Sequence, residues 1–169
     1  MEIRHIKKED NRFAISRIYE ESWKFAYQDI IPESWLNHIS EGRWISNLDQ
    51  EDMNHLVMIE NGKFIGTSAY GKSRFADFDG FGEIISIYFL PEYMGKGYGK
   101  LLINEVIDEL AKQGYRNIFL WVLEENHRAR RFYEKVGFVQ DEHILEDNIG
   151  GKQLREIAYL YSVEKRSVS

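Results

Sequence analysis

Three glycines at alternate positions, Gly95, Gly97 and Gly99, lie within residues 91–100 (PEYMGKGYGK), with Lys96 and Lys100 beside them. Glycine removes side chains where a backbone has to wrap an anion. A helix opening just after such a loop adds free N–H groups and the positive end of its dipole. This arrangement serves the binding of a phosphate or pyrophosphate; a flexible loop with a capping glycine is the other reading of the same residues. Two better-known anion loops fail on spacing. The pattern G-x-x-x-x-G-K-[ST], aligned on Gly99 and Lys100, puts Met94 at its first glycine and Leu101 at its Ser/Thr. The dinucleotide pattern G-x-G-x-x-G meets its third glycine one residue early, at Gly99. Cations gather again at 126–135, where Arg128, Arg130, Arg131 and Lys135 are offset only by Glu134. That run suits a phosphate partner and equally the solvated face of a helix.

Absences narrow the chemistry further. The 169 residues contain no cysteine, which removes a disulfide framework, a thiolate metal site and a cysteine nucleophile. The five histidines (5, 38, 55, 127 and 143) lack metal-ligand spacing, so no metal is expected. A net charge of −6 denies nucleic acid the basic face that supplies most of its affinity. The longest apolar stretch, 84–90, is seven residues and contains a serine, against about 20 for a membrane span. Residues 1–12 alternate charge with apolar side chains, unlike a signal peptide. The expectation is a soluble, cytoplasmic protein with neither nucleic-acid nor membrane partners. Length and a composition of 43% hydrophobic and 30% charged residues point to one globular domain over 1–169, ending in a few disordered residues.

The elements that must position the glycine loop follow from changes in hydrophobic period. Ile3 and Ile6 suit a short strand, and residues 10–28 carry a helical spacing that includes Ile15, Ile18, Trp23 and Tyr27. Pro32 and Glu33 look like the first turn of a second helix, with Trp35, Leu36, Ile39, Trp44 and Leu48 on its apolar side. Asn61-Gly62 between HLVMIE and KFIGTSAY predicts a hairpin. Strands follow at 81–90 and 116–123, around a helix at 99–114. Ala129, Phe132, Tyr133 and Val136 then form one helical stripe, which Gly137 ends. Two last strands, near 138–145 and 154–163, complete the order β-α-α-β-β-β-α-β-α-β-β. This is a mixed α/β (α+β) domain with a mostly antiparallel sheet.

The run IYFLPEYMGKGYGKLLINEVI, followed by LWVLEENHRARRFYEKVGF, resembles the GNAT superfamily of N-acetyltransferases, which use acetyl-CoA. The family's loop is usually [RQ]-x-x-G-x-[GA], and Gly95, Gly97 and Gly99 stand in its register. Its second element, N-x-x-A-x-x-F-Y-x-x-x-G-F, matches at Asn126, Ala129, Phe132, Tyr133, Gly137 and Phe138. Met94 departs from the pattern, because the family most often places Arg or Gln there. The resemblance implies a GNAT-like fold with strands splayed at the cofactor site. It also implies that the backbone of Ile87 and Phe89 pairs with the pantetheine arm and that the loop of Met94, Gly95, Lys96, Gly97, Tyr98, Gly99 and Lys100 holds the pyrophosphate. Asn126, with Ala129 and Phe132, would meet the arm from the other side. A homodimer through sheet edges or the C-terminal strands is a further implication.

The reaction so implied is direct attack of a primary amine on the acetyl thioester, and it needs an acid, a base and an oxyanion partner. Tyr133 is the candidate acid: a phenol of pKa ~10 can protonate a thiolate whose conjugate acid sits near ~8.5. Core packing is the alternative role for Tyr133. An alkylammonium is only about 1 part in 2,500 neutral at pH 7, a cost of about 4.6 kcal/mol. Glu83 occupies a position where many family members carry a glutamate. By strand alternation it shares a face with Ile85, Ile87 and Phe89, which makes it the candidate base, or else an exposed strand-end carboxylate. Backbone N–H groups of 84–90 are the natural oxyanion donors. Trp23 and Tyr27, four apart, are candidate acceptor-site walls or plain core. The acidic clusters at 49–52 and 141–142 favour a cationic acceptor. Without cysteine no acyl-cysteine forms, so transfer in a ternary complex is expected. A non-catalytic CoA-binding module and a transferase of another acyl group are the alternatives.

Overall fold

A computed structural model describes residues 1–168. Seven strands form one sheet in the order β1-β2-β3-β4-β5-β7-β6. They are β1 (Glu2–His5), β2 (Asn54–Glu60), β3 (Lys63–Lys72), β4 (Gly82–Phe89), β5 (Asn117–Leu123), β6 (Val139–Ile149) and β7 (Lys152–Ser162). Every neighbouring pair is antiparallel except β4 and β5. The β2–β3 hairpin turns at Asn61 (φ 50°) and Gly62 (φ 76°). Two successive positive φ angles match the twist of the flanking strands and explain the choice of Asn-Gly.

Helices cover both faces. On one lies α4 (Tyr98–Lys112), whose Leu102, Ile103, Val106, Ile107 and Leu110 are fully buried against Ile84, Ile118, Leu120 and Val122. Each such side chain contributes about 1.5–3 kcal/mol of transfer free energy. The shorter α5 (His127–Val136) joins the same core through Ala129, Phe132, Tyr133 and Val136. On the other face lies α1 (Arg12–Ala26), started by the Asn11 side chain, which accepts the Ala14 N–H at 3.1 Å. No helix among the described residues is long and apolar enough to cross a membrane.

Two sequence expectations change. The single second helix is instead two one-turn helices, α2 (Glu33–Leu36) and α3 (Ile45–Leu48). Gly42, at φ +80°, interrupts the path. Its N–H donates to the buried Glu20 carboxylate (2.9 Å), while the Trp44 N–H donates to Ser16 (3.1 Å). Side chains of α1 thus satisfy backbone groups that a continuous helix would have used internally. At the other end, Val163–Val168 forms a 3₁₀ turn in which Arg166 donates to Asp108 and Asn104. Ser169, the end of the expected tail, lies outside the described residues.

The feature that positions the site is an interruption between the two parallel strands. β4 and β5 pair only at Gly82–Ile118 and Glu83–Phe119. Beyond that point they diverge, leaving the β5-facing edge of β4 without a strand partner. A β-bulge adds to this: Ala69 opposes Ser86 and Tyr70 opposes Ile84, so Ile85 is an extra residue. Ile84, Ile87 and Phe89 consequently share the α4 face, and Glu83 points to the opposite one. The simple alternation that grouped Glu83 with Ile87 and Phe89 does not hold, because the bulge shifts the parity by one.

Candidate active site

The divergence of β4 and β5 opens a cleft of about 890 Å³, within the range of small-molecule sites. One end is built by the glycine loop. Gly95 (φ 75°) and Gly97 (φ 85°) occupy the left-handed region, which costs other residues roughly 1–2 kcal/mol. Gly99 has a different reason. A Cβ there would lie 3.1 Å from the Phe132 ring, so this glycine lets α4 and α5 approach. Gly97 is also the N-cap of α4 and supplies no side-chain acceptor, and the first turn contains no acidic residue. The opening N–H groups of α4 therefore remain available to an anion.

Cations surround this end. The Arg128 guanidinium lies 3.8 Å from where a Gly95 Cβ would stand, and Lys100, Arg131 and Lys135 line the same cleft. Arg130 is committed elsewhere, donating to the Tyr159 hydroxyl, the Glu124 carbonyl and Gln140. Two side chains of the loop also turn away. Lys96 lies 5.5 Å over the Tyr93 ring, and the Tyr98 hydroxyl donates to Glu60. Met94 is half-buried against the α4 core and borders the cleft. Asn126 accepts the Ala129 N–H at 3.2 Å and so starts α5, leaving its amide nitrogen for a ligand. Ile87 and Phe89 line the β4 wall, with Ala129 and Phe132 opposite.

Tyr133 lies beside Phe132, whose ring meets Gly99, and lines the cleft together with Tyr27 and Tyr88. Its hydroxyl makes no hydrogen bond to another described residue, and burial together with Tyr88 raises its pKa. The phenol thus keeps its proton. Tyr27 and Tyr88 share a hydroxyl contact at 3.3 Å, and burial pushes Tyr27 up to about 12. Trp23 meets Tyr27 edge to face at 5.0 Å. Both predicted aromatic residues therefore line the cleft.

Glu83 is neither exposed nor free. It is 1% exposed. The Arg74 guanidinium holds both of its oxygens, at 3.1 and 2.7 Å, and the Arg74 backbone N–H donates to one of them at 3.1 Å. The sequence reading missed Arg74, Asp147 and Glu156, which all line this end. Burial first, and then the Asp147 carboxylate, push Glu156 up to about 7, while Arg74 acts in the opposite sense. A signal for Glu156 existed in the sequence. It alternates with Leu154, Ala158 and Leu160 on β7, an acidic residue at an inward position of an otherwise apolar face.

A cradle of left-handed glycines, uncapped helix N–H groups and unpaired cations fits the diphosphate and phosphate groups of a CoA thioester, and the open edge of β4 fits an amide-containing arm.

Comparison with known proteins agrees with this geometry. The acetyltransferase (GNAT) family model matches residues 13–138. The uncharacterized N-acetyltransferase YuaI of Bacillus subtilis is 30% identical over 162 residues, covering 92% of this chain and 89% of its own. The spermidine N(1)-acetyltransferase of Thermoplasma acidophilum is 28% identical over 94% of this chain and 98% of its own. Among solved structures, the PaiA N-acetyltransferase of Thermoplasma acidophilum, in complex with coenzyme A, superposes with a TM-score of 0.76. That likeness has 23% identity and covers 95% of this chain and 98% of the other, a match of fold. With this fold, this cleft and the family match across most of its length, the chain belongs to the acetyltransferase (GNAT) family and is an N-acetyltransferase.

Proposed function

We propose that the protein transfers an acetyl group from acetyl-CoA to a cationic primary amine, both substrates being bound in one cleft. A single observation carries this reading: the cleft is cationic and rich in free N–H groups at one end, carboxylate-rich at the other, and Tyr133 lies between. Opposite polarities at the two ends attract a phosphorylated donor and an ammonium acceptor to their own halves.

Acetyl-CoA, when bound, supplies an acetyl group already activated as a thioester. The backbone of 95–100 and the Lys100, Arg128 and Arg131 side chains hold its phosphates. The free edge of β4 at Ile87 and Phe89 and the Asn126 amide align its arm. Met94 supplies packing where Arg or Gln is commoner, so more of the phosphate contact falls to backbone and to Arg128. Tyr133 Oη holds a proton beside the sulfur's expected position and releases it as the thiol departs. Trp23 and Tyr27 wall the amine side and exclude water. The similarity to a spermidine N(1)-acetyltransferase supports an alkyl polyamine as the acceptor class.

The test combines calorimetry with CoA and acetyl-CoA and a thiol-release assay using spermidine, cadaverine and a peptide with a free α-amine. Micromolar binding of both nucleotides, and release favoured by the two polyamines, is the expected result. Absence of nucleotide binding at millimolar concentration would overturn the reading. Release favouring the peptide would overturn the acceptor class alone.

A further inference from the structure

An amine that arrives as an ammonium ion must lose a proton before it attacks, and three carboxylates line its end of the cleft: Glu83, Asp147 and Glu156. Glu83 is poorly placed to accept it. Its two oxygens already take three donors from Arg74, so an incoming ammonium would have to compete with that guanidinium for them. Asp147 is exposed on the edge strand β6. Glu156 sits on β7 between Leu123 of β5 and Leu145 of β6. It is half-buried, and neither a hydrogen bond nor a salt bridge ties its carboxylate to another described residue. Tyr27 and Tyr133 line the same cleft as Glu156.

We propose that Glu156 is the proton acceptor for the incoming amine, and that Asp147 holds the ammonium beside it. This rests on the amine-acetylation reading above. Glu156 takes one proton from the ammonium and passes it to solvent. The nitrogen then forms the N–C bond as the C–S bond breaks. Tyr133 Oη gives its proton to the sulfur and is restored by the second amine proton, so one proton leaves overall. The charged and titratable groups near Glu156 are Asp147 from β6, Arg74 from the β3–β4 connection and Tyr27 at the C-cap of α1, and Glu83 of β4 lines the same cleft. Asp147 raises its proton affinity and Arg74 lowers it, which leaves a carboxylate with proton affinity far closer to the amine's than an exposed one has. Arg74 with Glu83 acts as a positioning pair.

Glu156→Gln, assayed by thiol release with spermidine, is expected to lose about 100-fold in kcat/KM at pH 7. The deficit should shrink toward pH 10, where the amine deprotonates unaided. Acetyl-CoA affinity by calorimetry should be unchanged, which also reports that the variant is folded. NMR of the protein labelled at glutamate carboxyl carbons should show one group titrating near pH 7, absent from Glu156→Gln and shifted to lower pH in Asp147→Asn. Glu156→Asp should recover part of the rate. A pH-independent loss, an unchanged rate, or no glutamate titrating above pH 6 would overturn the assignment while leaving the amine-acetylation reading intact. A wild type that binds no acetyl-CoA, or releases no thiol with any amine, would overturn both.

Discussion

The two ends of the cleft are built on opposite principles. The donor end is local: residues 91–100 and 126–135 supply almost all of it, through backbone N–H groups, left-handed glycines and exposed cations. The acceptor end is assembled from α1, the β3–β4 connection, β4, β5, β6 and β7, and it works through side-chain pairs such as the exposed Arg74 on the buried Glu83. Recognition through backbone depends little on side-chain identity, and Met94, in the position where the family most often has Arg or Gln, leaves the left-handed Gly95 and Gly97 in place. Recognition by buried charges is less forgiving, because removing one partner leaves the other without compensation.

That contrast can be broken at its junction first. Tyr133→Phe is expected to lower kcat about 100- to 1,000-fold while the KM for acetyl-CoA stays level; an unchanged kcat would make Tyr133 a wall rather than an acid. Next, Arg74→Met strands the buried Glu83 carboxylate and should cost about 3 kcal/mol in denaturant unfolding. Arg128→Met at the donor end should leave unfolding unaffected, and equal losses would erase the distinction.

Glu156→Gln probes stability as well as rate. Glu156 binds its proton up to about pH 7 in the folded chain, against an ordinary value of 4.5. The folded state therefore binds more protons across that window, and its stability falls as pH rises through it. The variant, which lacks this group, should gain on the order of 2 kcal/mol over wild type at pH 8 and little at pH 4. Thermal unfolding at the two pH values measures the difference, and a gain equal at both would sink the argument.

Smaller effects are expected within the donor end. Gly99→Ala places a methyl 3.1 Å from the Phe132 ring, and acetyl-CoA affinity should fall about tenfold as α5 yields. Arg128→Ala should cost about fivefold and Lys96→Ala less than about twofold, since Lys96 rests on Tyr93. Calorimetry with acetyl-CoA ranks the three.

Most of the local geometry at the glycine-loop end was legible in the sequence, because a turn and the helix after it are set by neighbouring residues. Gly95 and Gly97 answer to their own φ angles, and Asn126 starts its helix by accepting the N–H of a residue three further on. The hairpin at Asn61-Gly62 was legible for the same reason. The split of the second helix was not, since it depends on Glu20 and Ser16 reaching across from α1. Nor was the facing of Glu83, because one bulge residue, Ile85, reverses the parity of everything beyond it.

By itself the sequence determined the order of the strands and of the three long helices, the alternate-glycine loop, the cation run of α5 and the phenol that follows Phe132, all of which depend on short-range geometry. Only the tertiary structure decided which carboxylate is free. Arg74 and Glu83, nine residues apart, neutralise one another; Asp147 and Glu156, also nine apart, lie on the β6–β7 hairpin, and only the pairing of β7 with β5, whose last residue is 24 or more positions earlier, brings that hairpin to the cleft. Charge and burial at a point in space sum over every segment that passes near it, and that sum has no counterpart along the chain.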